Sequence, residues 1–196
     1  MLAGVAAPVT IVAFGDSTTA PRGALVVYAD LLREGLEDGR LLMLMRSNWM
    51  RFWQAESGDG GLSWHPLGPS AIPASSAPGT LHRLRSGRIV LVWNRPFPEG
   101  EDTFPLTGGD RRWSATPVSN HRGELSIAFS EDEGKTWSEP VVIARKPTAW
   151  LSYPFVFEAV PGELWITTMQ GGVRLKLREE DYCGFPGHTA PSKVRP

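Results

Sequence analysis

"SGDGGLSW" at residues 57–64 and "SEDEGKTW" at 130–137 are two versions of one octapeptide, Ser-x-Asp-x-Gly-x-(Ser/Thr)-Trp. Each part has a mechanical use. An Asp in a tight turn accepts hydrogen bonds from nearby backbone N–H groups, Gly supplies permissive backbone angles, and Trp packs the turn onto what lies beneath. The pattern therefore predicts a stapled hairpin between the outer strands of a repeating β-unit. Asp59, Trp64, Asp132 and Trp137 are its structural residues, and the two carboxylates are engaged by their turns rather than available for chemistry.

A second phrase interleaves with the first. "DGRLLMLM" at 38–45, "SGRIVLVW" at 86–93 and "PGELWITTM" at 161–169 each set a turn glycine before an apolar strand. Gly87 follows Gly39 by 48 residues, Gly162 follows Gly87 by 75, and Asp132 follows Asp59 by 73. The later unit thus carries an insertion, and the Pro-, Gly-, Arg- and Asp-rich stretch Arg95 to Asn120 supplies it. Without it every unit has the length of a four-stranded propeller blade. One full unit, Ser75 to Lys146, is expected, with parts of two neighbours.

The opening residues read differently. Pro8 to Phe14 is short, β-branched and apolar, as a buried strand is. After a loop, Leu25, Tyr28, Leu31, Leu32 and Leu36 recur at helical spacing, which predicts a helix over 24–36. Three segments follow from the pattern: a strand-turn-helix over 1–37, a repeat segment over 38–180, and an irregular tail over 181–196.

Composition narrows the class. With 41% apolar and 21% charged residues, the 196-residue chain is that of a globular domain able to build a core. A net charge of −1, with scattered arginines balanced by acids, gives no signal for nucleic acid. No run is long and apolar enough to span a bilayer, and no basic start precedes an apolar stretch, so the default expectation is a cytoplasmic location. The single cysteine, Cys183, reads as a free thiol. The carboxylates and histidines form no short-spaced ligand cluster, so neither a metal nor another cofactor is expected.

The octapeptide is identified as the Asp-box, or BNR repeat, of sialidases (neuraminidases) and related six-bladed β-propellers. The resemblance runs over about residues 39–178. It implies a mainly β chain: about half of a six-bladed-type propeller, preceded by the short strand-turn-helix segment. It further implies a glycoside hydrolase that removes terminal sialic acid, with a sialylated or other anionic glycan as partner. Such an enzyme holds the sugar carboxylate with planar guanidinium groups, which pair with it through parallel charge-assisted bonds. A tyrosine, uncharged, then replaces the usual carboxylate nucleophile.

In "LMRSNW" the resemblance points to Arg46, in "NHRGELSIAFS" to Arg122, and in "WLSYPFVF" to Tyr153 as the nucleophile. His121 adjoins the same strand end as a further substrate contact, and Glu124, two residues after Arg122, either orients that arginine or is a strand-edge charge, the second reading being favoured. The first arginine of the family and its acid/base Asp have no counterpart in the residues before Gly39.

"FGDSTT" at 14–19, set between strand and helix patterns, resembles the first block of SGNH (GDSL-type) esterases over about residues 9–36. It implies Ser17 as an acyl nucleophile. None of His65, His82, His121 and His188 has the Asp three residues earlier that this family pairs with its histidine. Serine esterase and non-catalytic glycan-binding or interaction module are therefore the alternatives to the sialidase reading. Open strand edges and uncovered blade faces lead to an expectation of self-association.

Overall fold

The computed structural model describes residues 31–35, 39–111 and 114–183, and almost all of its regular structure is β. The first sheet is an antiparallel meander of β1 (Leu31–Gly35), β2 (Leu41–Met45), β3 (Arg51–Ser57) and β4 (His65–Pro73). The second begins with β5 (Thr80–Arg83) and β6 (Ile89–Trp93). A hairpin of β7 (Leu106–Gly108) and β8 (Pro117–Ser119) interrupts it, and it resumes with β9 (Glu124–Ser130) and β10 (Val141–Arg145). β11 (Pro154–Val160), β12 (Glu163–Thr168) and β13 (Arg174–Arg178) form the third, followed by a 3-10 turn over Glu179–Asp181. The leading strands meet, β1 against β5 and β5 against β11, so the sheets stand side by side as propeller blades do.

The middle sheet explains the apolar run of "SGRIVLVW". All five residues of β6 are buried, with Ile89, Leu91 and Trp93 facing the first sheet and Val90 and Val92 facing the third. A strand covered on both faces needs no polar alternation. On one side Leu42, Leu44, Phe52, Ile72 and Leu81 complete a core; on the other Leu125, Ile127, Leu151, Val156, Leu164 and Ile166 do. β11 and β12 alternate instead. Val156, Leu164 and Ile166 point inward, while Phe155, Phe157 and Trp165 are exposed and touch one another, with ring centroids 6.4 and 6.1 Å apart.

Two expectations are corrected. Residues 31–35 of the predicted helix are strand, paired antiparallel with β2 from Leu31 opposite Met45 to Gly35 opposite Leu41. Helical spacing is a weak preference, and the open edge of β2 offers a ladder that outweighs it. The rest of that helix, the Pro8 to Phe14 strand and Ser17 lie outside the described residues, as does the tail beyond 183. The first sheet therefore begins ahead of the boundary at 37 and 38, and it has four strands rather than part of a unit. The insertion expected over Arg95 to Asn120 is present as the β7–β8 hairpin and its flanks.

Both octapeptides form the expected hairpins, one between β3 and β4 and one between β9 and β10. Ser57 Oγ donates to Asp59 Oδ1 at 2.7 Å and accepts from Gly61 N–H at 2.8 Å. Asp59 also accepts from the backbone N–H and hydroxyl of Ser63 at 2.9 and 2.6 Å. The second turn repeats this network: Ser130 Oγ to Asp132 at 2.9 Å, Gly134 N–H to Ser130 Oγ at 2.8 Å, and Thr136 N–H and hydroxyl to Asp132 at 2.8 and 2.6 Å.

Those bonds, led by the Ser63 hydroxyl, hold the Asp59 carboxyl far below its ordinary range. For Asp132, burial pulls upward, and the combined bonds from Thr136 and Ser130 outweigh it. Trp64 Nε1 donates to Gly61 O at 3.0 Å, and Trp137 packs against the core between the first two sheets.

Candidate functional site

In a meander, the link from second to third strand and the link into the next sheet emerge at the same end. Residues 46–50, 74–79, 94–123, 146–153 and 169–173 are those connections, and hydrogen bonds tie them together. Ala74 N–H donates to Met50 O at 3.1 Å, Ser75 N–H to Asn94 O at 2.9 Å, Leu151 N–H to Arg122 O at 2.7 Å, and Gln170 N–H to Ser152 O at 3.2 Å. Arg46, His121, Arg122 and Tyr153 all lie at this loop end. Asp59, Trp64, Asp132 and Trp137 lie at the opposite, turn end.

Arg122 is the centre of the loop end. It precedes β9 by two residues and is 6% exposed. Its Nη2 donates to Ser76 O at 2.7 Å, and its Nη1 to Ser152 Oγ at 3.3 Å and Gln170 Oε1 at 3.4 Å. The three acceptors come from the β4–β5, β10–β11 and β12–β13 connections, so one guanidinium links all three sheets. Ser152 Oγ in turn donates to Gln170 Oε1. Above the guanidinium lie two rings, Trp150 with its centroid 4.5 Å from Arg122 Cζ and Tyr153 at 5.8 Å. Such cation–π contacts are favourable and fix ring positions.

Tyr153 is half-buried and holds a left-handed backbone with φ 58°. That conformation is uncommon for a bulky residue and persists only where neighbours impose it. Here Pro154 follows, and Met169 N–H donates to Tyr153 O at 3.1 Å. Trp150, half-exposed, stands at the rim.

A cavity of about 160 Å³ opens beside Arg122 and Trp150, lined also by Phe104, His121, Asn120 and Pro98. His121 is buried; its Nδ1 lies 3.1 Å from Arg95 O and its ring 4.9 Å from that of Phe104. Burial pushes its pKa below the ordinary 6.5, so the ring is neutral near pH 7.

Arg46 follows β2 directly and is half-buried at the same end. Asn48, two residues on, accepts from Ser76 Oγ at 2.9 Å, and the carbonyl of that same Ser76 accepts from Arg122.

Glu124 departs from its reading as a strand-edge charge. It is 5% exposed, accepting from Arg145 Nε at 2.7 Å and Glu99 N–H at 2.8 Å, with Arg95 Nη2 at 3.9 Å. A buried carboxylate needs such partners, and Glu124 uses them to fasten the insertion to β10.

Trp150, Ser152, Gln170 and Ser76 are the neighbours of Arg122 that sequence reasoning missed. Only Trp150 left a signal, as a tryptophan just before the Tyr-Pro phrase. Among the described residues no group of three His, Cys, Asp or Glu side chains could hold a metal ion, and no helix is long and apolar enough to cross a membrane. Cys183 is free, and burial raises its thiol to about 11, far from a reactive thiolate.

A family model described as a BNR repeat-like domain matches residues 32–166, well over half of the chain, starting within β1 and ending within β12. The chain belongs to that family. Comparison with curated proteins gives no match. Among solved structures, this BNR repeat-like chain is similar to a protein of unknown function from Dyadobacter fermentans, with 15% identity over 74% of this chain and 44% of that one, TM-score 0.45. It is also similar to a protein titled Hadza microbial sialidase Hz136, with 16% identity over 74% of this chain and 43% of that one, TM-score 0.32. The BNR repeat-like chain thus spans less than half the length of each.

Proposed function

We propose that this BNR repeat-like chain is a sialidase-like glycoside hydrolase that takes a terminal anionic sugar, sialic acid first, at its loop end. The observation that carries the reading is the stack of Tyr153 and Trp150 on the Arg122 guanidinium. A sugar carboxylate is a stronger acceptor than the neutral Ser152 and Gln170 oxygens that now hold Arg122 Nη1, because its bonds are charge-assisted. Arg46, directly after β2 of the first sheet, lies at the same loop end. Tyr153 Oη attacks the anomeric carbon as its proton passes to solvent, and the glycosidic bond breaks with its electrons on the leaving oxygen. A water then attacks the same carbon, its hydroxyl stays on the sugar, the tyrosyl–sugar bond breaks and the water's proton returns the phenolate to phenol.

The test is hydrolysis of 4-methylumbelliferyl α-sialoside, whose acidic phenol departs without a proton donor. Turnover should fall at least about a hundredfold in Tyr153→Phe. Equal turnover by the two proteins would end the assignment of Tyr153 as nucleophile.

A second reading is favoured by how Arg122 is engaged: a guanidinium bonded to three connections is already a structural tie. It makes the loop end a non-catalytic glycan-binding module. Saturable sialoside binding with no turnover by the unmodified chain selects this reading.

A further inference from the structure

We infer that Trp49 is a stacking platform for a further pyranose ring of an oligosaccharide whose terminal sugar sits at Arg122, Trp150 and Tyr153. The inference rests on the proposed glycan reading and extends it to the rest of the ligand. Trp49 is 59% exposed, in the β2–β3 connection, with the Trp53 ring 5.2 Å away. An exposed indole on a loose loop would mean little. This loop is fixed.

Ser47 Oγ donates to Arg51 O at 2.6 Å and accepts from Trp49 N–H at 3.2 Å. Asn48 donates from Nδ2 to Ser114 Oγ at 3.3 Å and accepts from Ser76 Oγ at 2.9 Å, while Thr116 Oγ1 donates to Asn48 O at 3.3 Å. Met50 is held at φ 57°, a strained value for a side chain of its size, with its carbonyl bonded to Ala74 N–H. The loop is thus built to present much of the indole to solvent, where an apolar surface gains little from folding. A preformed site loses little freedom on binding.

Chemistry selects the occupant. The connection that carries the indole also carries Arg46, Ser47, Asn48 and Arg51, so a flat apolar partner laid across it would strip water from polar groups without replacing their bonds. A pyranose has an apolar C–H face and a rim of hydroxyls, which meets both demands. The Trp49 loop also joins the proposed site through short links, Asn48 to Ser76, Ser76 to Arg122, and Arg122 to Trp150.

The experiment titrates N-acetylneuraminic acid and 3′-sialyllactose, by calorimetry, into the Tyr153→Phe chain, which leaves the trisaccharide intact, with and without Trp49→Ala. The trisaccharide should bind more tightly than the monosaccharide. Trp49→Ala should weaken it about fivefold and leave the monosaccharide unchanged, and Trp49→Phe should restore most of the difference. If both sugars bind and Trp49→Ala changes neither, the platform is overturned and the anionic-sugar site stands. If the monosaccharide fails to bind while Trp49→Ala still weakens the trisaccharide, the platform stands and the terminal-sugar site falls. Binding of neither sugar removes both. Light scattering that shows Trp49→Ala turning a dimer into a monomer would make Trp49 a contact between copies and overturn the platform.

Discussion

The two ends of the sheets are built on different principles. At the turn end, two octapeptides 73 residues apart adopt one geometry because every bond in the network joins residues within four positions of each other. At the loop end no two connections are alike, and the bonds of Arg122 reach 30, 46 and 48 residues along the chain. Local bonds make a turn that can be repeated without reference to its surroundings. Long-range bonds make an arrangement that exists once, as a binding site requires.

The sharpest way to break this contrast is to remove the tie at the loop end. Arg122→Ala leaves Ser76 O, Ser152 Oγ and Gln170 Oε1 without their guanidinium donor and lets the Trp150 ring lose its partner. It should cost about 3 kcal/mol in urea unfolding, with Arg122→Lys recovering only part because an ammonium cannot span three acceptors. A loss below about 0.5 kcal/mol would mean that the connections hold without it.

A smaller effect is expected from Gly134→Ala. Gly134 has φ 81°, and an added Cβ would meet Leu42 Cδ2 at 2.6 Å, so strain and a core contact combine to cost about 2 kcal/mol. Gly60 in the other turn is the control. It has φ 73° with nothing within 4 Å, and its counterpart Glu133 adopts φ 64° while both Nη atoms of Arg83 hold its carboxylate. Gly60→Ala should cost about 1 kcal/mol or less by the same measurement.

If the turns are truly local, Ser57→Ala and Ser130→Ala should cost the same. Both hydroxyls are buried and both donate to Asp and accept from Gly. About 1 kcal/mol each is expected, additive in the double variant to within about 0.5 kcal/mol. Unequal costs, or coupling between the two, would show that the turn end is not modular.

The smallest effect separates the ends by pH. Burial depresses the His121 pKa below 6.5, so the unfolded chain binds the proton first and His121 favours the fold fully above about pH 6.5. That contribution fades as pH falls through the depressed folded value. The same direction and cause apply to half-buried His82 in β5. Asp59 and Asp132 are also lowered, from 3.8, so the turns keep their bonds into far stronger acid. Imidazole and carboxyl titrations followed by NMR should show His121 protonating below pH 6.5, while both turn carboxylates stay ionised beneath pH 3.8. A His121 midpoint at or above 6.5 would contradict its burial.

The turn end was legible in the sequence because its causes lie within eight consecutive residues. Ser, Asp, Gly and Trp at fixed offsets specify the hairpin, and the apolar phrases between them specify strands covered on one face or two. The same reasoning placed Arg46, Arg122 and Tyr153 at corresponding strand ends, which share one end of the structure.

Three things were decided only by the tertiary structure. Residues 31–35 carry helical spacing yet pair with β2, since an open strand edge supplies hydrogen bonds that spacing does not foresee. Glu124 looks like a strand-edge charge yet is buried against Arg145 and the N–H of Glu99, because the insertion folds back over it. Arg122 meets Ser76, Ser152, Gln170 and Trp150 through side chains brought in from separate connections. Local chemistry writes hairpins and strand faces into adjacent residues, whereas a site assembled across three sheets depends on how those sheets pack.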